Sequence, residues 1–78
     1  MKGTFKAKLI ETTNRKVQKY IDRIGECAIS KNKFLMEQDE ENFFLTSEIE
    51  GIIKSGSEIF IETKNSTYTL EIIEEEEK

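Results

Sequence analysis

Five cations and one tyrosine come closest to a chemical arrangement in this chain. Lys16, Lys19 and Arg23 recur at intervals of three and four residues, which gathers them on one face of a helix, with Tyr20 between that face and the apolar one. Positive charge beside an aromatic ring suits phosphate contact and base stacking, and Lys6 and Lys8 on an adjoining strand extend the patch. The plainer reading is preferred: a solvated helix face whose lysine stems cover apolar surface, with Tyr20 at the core margin. The net charge of −4 also weighs against nucleic acid, because the acids oppose the counterion release that drives such binding.

Glu37, Asp39, Glu40 and Glu41 crowd together just before Phe43-Phe44. Consecutive acids without a glycine do not match a calcium loop, so a solvated polar loop is expected and no metal. Glu74 to Glu77 read as a solubilising end, with imitation of a nucleic acid as the sharper alternative. Catalysis finds little support. The chain has no His, and Cys27 therefore lacks its usual base; alternation with Ile29 places it on an apolar face, as a small buried hydrophobe. One Cys makes no internal disulfide, and without His there is no zinc site of the usual Cys/His kind. Gly3, Gly25, Gly51 and Gly56 are scattered and form neither a phosphate loop nor a dinucleotide fingerprint. The expectation is no catalytic residue, no cofactor and no enzyme.

The elements that must position these residues are organised around Ser57 to Ile73, where apolar and polar residues alternate on both sides of Lys64-Asn65-Ser66. This predicts a β-hairpin. A loop at Asn65-Ser66 faces Ile59 with Ile72, Ile61 with Leu70 and Thr63 with Tyr68. A loop at Lys64-Asn65 instead faces Ile59 with Leu70 and Ile61 with Tyr68, but sets Glu58 opposite Glu71, so the first register is preferred. Upstream, Thr4 to Thr12 reads as a strand with Phe5, Ala7 and Leu9 on one side. Val17, Tyr20, Ile21 and Ile24 then follow a helical period, predicting a helix from about Arg15 to Ile24, capped by Thr12, Thr13 or Asn14 and closed by Gly25.

A second hairpin around Lys31-Asn32 pairs Ile29 with Phe34 and Cys27 with Met36. After the polar break at 38–42, Phe43-Phe44-Leu45 reads as a short strand and Thr46-Ser47-Glu48 as a corner. Ile49 to Lys54 is the next strand, and Ser55-Gly56 a turn that brings Ile52 opposite Ile59. Residues 1–73 form one compact domain in this reading, and 74–78 an acidic disordered tail. The fold expected is α+β: a small, strongly curved antiparallel sheet or partly open β-barrel of about six strands, with one short helix after the first strand. An all-β small barrel is the alternative.

Charge is divided along the chain, +6 over residues 1–33 and −10 over residues 34–78. Phe60 and Ile73 fall on the outer face of the closing hairpin, and Leu35 and Phe44 pose the same problem in their strands. Apolar residues on both faces call for barrel closure or a second copy of the chain. No window of about 18 apolar residues exists and no signal-peptide core opens the chain, so a cytoplasmic protein without a membrane span is expected. The function expected is a small binding or regulatory protein. A protein partner comes first and nucleic acid second, the latter through Lys6, Lys8, Lys16, Lys19, Tyr20 and Arg23; an acidic inhibitor of another protein is the third reading.

Overall fold

The computed structural model describes residues 4–75. Strands β1 (Phe5–Thr12), β2 (Ile24–Ser30), β3 (Lys33–Glu37), β4 (Phe43–Ser55), β5 (Glu58–Thr63) and β6 (Thr67–Glu75) each run antiparallel to the next. β6 pairs back onto β1, so the sheet closes in a ring. Register shifts at Lys6/Ala7, Leu9/Glu11, Lys33/Leu35 and Ile49/Gly51 supply the local bends that let so few strands curl through a full turn. The fold is mostly strand, which favours the all-β alternative over α+β.

Alternation fills the ring. Ala7 and Leu9 from β1, Cys27 from β2, Phe34 and Met36 from β3, Phe44 from β4, Ile59 and Ile61 from β5 and Tyr68 and Leu70 from β6 point inward and are buried. The rings of Phe34, Phe44 and Tyr68 run through this core, Phe44 stacking on Tyr68 at 5.8 Å.

The helix is shorter and tighter than its period predicts: a 3-10 helix, Arg15–Tyr20. Asn14 caps it, its side chain accepting from the Lys16 N–H at 2.9 Å, and Val17 and Tyr20, three residues apart, are the pair such a helix sets on one side. Ile24 could not continue it, because that residue opens β2 opposite Lys8 and is exposed. The left-handed turn expected at Gly25 falls on Asp22 (φ 73), whose N–H donates to the Leu9 carbonyl. Gly25 serves a different purpose: an added Cβ would lie 2.8 Å from the Glu37 oxygen.

The hairpin around Lys31-Asn32 has the expected register, Ile29 opposite Phe34 and Cys27 opposite Met36, and both turn residues take positive φ (52 and 64). The closing hairpin takes the other register, Ile59 opposite Leu70 and Ile61 opposite Tyr68. Glu58 does face Glu71, but at the surface solvent screens that repulsion. What decides the register is the turn, where the Thr63 N–H and Oγ1 both donate to the Ser66 carbonyl and Thr63 Oγ1 accepts the Ser66 N–H.

Phe43 to Ser55 is one strand rather than two strands and a corner. Its first half pairs with β3 as far as Glu48 and its second half with β5 from Ile49, so the expected corner is where β4 changes partner. Ile52 faces Ile61 instead of Ile59, because the turn is centred on Gly56-Ser57, where Gly56 has φ 61. Glu74 and Glu75, expected in the tail, extend β6 opposite Lys6 and Phe5; residues 76–78 of that tail lie outside the described residues.

Candidate interaction surface

The turn between β3 and β4 decides which side chains face out. Asp39 Oδ1 accepts the N–H groups of Glu41 and Asn42 and the side-chain Nδ2 of Asn42, each at 2.9 Å, while the Gln38 N–H donates to the Asn42 carbonyl at 2.8 Å. The Glu41 N–H above all, then the Asn42 amide, hold the Asp39 carboxyl below the usual carboxylate range. The same turn locks the register into Met36 opposite Phe44 and Leu35 opposite Leu45. Met36 and Phe44 go in together. Phe43 and Leu45 therefore go out.

The outer face of β2, β3 and β4 accordingly carries two rows. Ala28, Leu35 and Leu45 make an apolar row; Glu26, Glu37 and Phe43 make the next. Leu45 is 58% exposed and Phe43 55%. Along the acidic margin lies a cleft of about 600 Å³, bounded by Lys6, by Ile24, Gly25 and Glu26 and by residues 37–40. Gln38 Nε2 is buried beside it without a hydrogen-bond partner among the described residues. Apolar side chains thus border directly on a carboxylate-rich edge.

The cations expected to act together are divided. Lys16 and Lys19 stand exposed on the 3-10 helix, Lys19 Nζ lying 5.4 Å from the Tyr20 ring centre. Tyr20 itself is 5% exposed and packs on Phe44 at 5.4 Å, so no face is left on which a base could stack. Arg23 follows the helix, exposed, and its charge acts on Asp39. Lys6 has Glu26 and Glu74 as its strand neighbours, and Lys8 has Ile24 and Glu71. The basic first half and acidic second half of the sequence therefore interleave where β1 meets β6.

Of the expected outward apolar residues, Phe60 is 37% exposed, between Ile53 and Thr69, and Ile73 is exposed. Leu35 is half-buried and Phe44, expected outside, is in the core. The residues missed were Phe43 and Leu45. Asp39, whose carboxylate accepts the main-chain N–H two residues on as in an Asx turn, was the signal that would have placed them.

Cys27 is buried and its thiol is pushed up to about 12, chiefly by desolvation. Among the described residues no group of three or more His, Cys, Asp or Glu is placed to hold a metal ion, and no helix is long and apolar enough to cross a membrane. No protein-family model, curated protein or solved structure matches the chain.

Proposed function

We propose that this chain is a small, non-enzymatic binding domain of the cytoplasm, a compact β-barrel that presents the outer face of β3 and the first half of β4 to a protein partner. The partner surface it fits is apolar at its centre and basic at its margin. The observation carrying this reading is the exposure of Phe43 and Leu45 directly beside Glu26 and Glu37. A monomer gains nothing from aromatic and aliphatic area left in water next to carboxylates, whereas an interface with that composition has both its core and its rim. An inhibitor that occupies a basic, nucleic-acid-binding face of another protein is a special case of the same chemistry.

Exposed Lys16 and Lys19 support a second reading, direct binding of nucleic acid by the helix end of the ring. It comes second because Tyr20 offers no ring face and acids flank Lys6 and Lys8.

The test is affinity capture with surface variants. Leu45→Asp is expected to lose a partner that wild type and Lys16→Glu both retain, and that partner is expected to elute at raised salt. Retention by Leu45→Asp with loss in Lys16→Glu would reverse the assignment.

A further inference from the structure

Among the described residues, the second half of β4 has an exposed strand edge. β3 accompanies β4 only to Glu48, and Asn32 closes the next position, its carbonyl accepting the Ile49 N–H and its Nδ2 donating to the Ile49 carbonyl. Beyond Ile49, β4 has only β5 beside it among the described residues. Antiparallel ladders bond every second residue pair. The pair Ser55 and Glu58 closes the two-residue turn, which assigns the hydrogen bonds to Ser55, Ile53 and Gly51 and turns the N–H and C=O of Ile52 away from β5. The side chains there are apolar and exposed, Ile52 at 43% and Ile53 at 65%. A hydrophobic strand with a bare edge is a template for another strand.

We propose that the occupant of this edge is a second copy of the chain, with β4 pairing antiparallel to its counterpart across a two-fold axis at Ile52. The segment Glu50-Gly51-Ile52-Ile53-Lys54 is self-complementary in that register alone. Ile52 meets Ile52, each Glu50 end meets a Lys54 end, and Gly51 stands opposite Ile53. Gly51 has neither a positive φ nor a close neighbour to require it, since an added Cβ meets nothing nearer than Glu62 Oε1 at 3.8 Å; opposite Ile53 it leaves that side chain room. Lys54 has three ammonium donors, so contacts within its own chain are compatible with one across the axis. A charged residue on an edge discourages pairing with partners that offer it no acid; here the acid comes from the same five residues of the other copy. The contact is isologous and closes at two copies, joining two rings into one continuous sheet. It uses the opposite half of β4 from the face assigned to a foreign partner, so the two stand or fall separately.

Sedimentation or light scattering up to millimolar concentration tests it. The expected species is twice the 9.1 kDa of one chain. Glu50→Lys and Lys54→Glu are each expected to be folded monomers by circular dichroism, and a mixture of the two is expected to restore the dimer as a heterodimer, because every facing pair is then opposite in sign. In wild type, amide shifts that move with concentration should centre on Ile52 to Lys54, a readout that needs no variant to fold. A wild-type monomer at millimolar concentration, a dimer unaffected by Glu50→Lys, or concentration-dependent shifts centred on Leu35 and Leu45 would overturn the proposal.

Discussion

The position a β-carbon would take on Gly25 lies 2.8 Å from the main-chain oxygen of Glu37, on the neighbouring strand. Backbone cannot swing aside as a side chain can. Gly25→Ala is therefore expected to destabilise the protein by about 1–3 kcal/mol, although alanine is otherwise an undemanding strand residue. Urea unfolding measures it, and an unchanged midpoint would refute the close approach.

Asn14 joins the 3-10 helix to the core. Its Oδ1 accepts the Lys16 N–H and its Nδ2 donates to the Tyr68 hydroxyl, both at 2.9 Å. Asn14→Ala is expected to cost about 1–2 kcal/mol and Tyr68→Phe about 1 kcal/mol. Because one side chain serves both contacts, the double variant should cost less than the sum, and strict additivity in the double-mutant cycle would count against a shared bond.

The raised pKa of Cys27 predicts a loss of stability in alkali. Folding keeps this thiol protonated up to about 12 against an ordinary 9.0, so above pH 9 the unfolded chain releases a proton that the folded chain retains. Stability is then fully present below that pH and falls as pH rises, with a slope of at most about 1.4 kcal/mol per pH unit from this group. Comparing Cys27→Ala with wild type between pH 8 and 11 isolates the effect, and parallel curves would show the thiol to be better solvated than its burial implies.

Phe60 lies half in the outer surface, opposite Ile53 and Thr69. Phe60→Ser is expected to cost only about 1 kcal/mol, against the roughly 3–5 kcal/mol expected for Phe34→Ala inside the ring. Thermal unfolding of the pair tests whether the outer side chain is structural; a loss as large as that of Phe34→Ala would make it part of the core.

Labelled RNA or DNA separates the two surfaces by anisotropy at about 50 mM salt, where phosphate contacts are strong. No binding is expected. Salt-dependent binding abolished by Lys16→Glu with Lys19→Glu would promote the nucleic-acid reading.

The strands were legible wherever a turn residue fixed the count. Lys31-Asn32 places Cys27 opposite Met36 without ambiguity, since two adjacent residues with positive φ close a tight hairpin. Around Lys64-Asn65-Ser66 two registers both keep an apolar face; the repulsion of Glu58 and Glu71 is weak at a wet surface, and the hydrogen bonds of the Thr63 hydroxyl decide between them. The helix was overextended because Ile24 fits a helical period as well as it fits a strand, and only its pairing with Lys8 separates the two. The cations of the candidate site were visible as residue types. Their separation was not, because it depends on the last strand lying against the first.

That closure sets a schedule for folding. β6 pairs with β1 but follows it in the chain with four other strands between them, so one edge of the earlier strand must wait unsatisfied until those strands have been made. Pairing across so long a stretch is entropically slow, and the partners that form locally, β2 with β3 and β5 with β6, are the ones able to assemble beforehand. Seating β6 against β1 is then the step that removes the interior from water all at once.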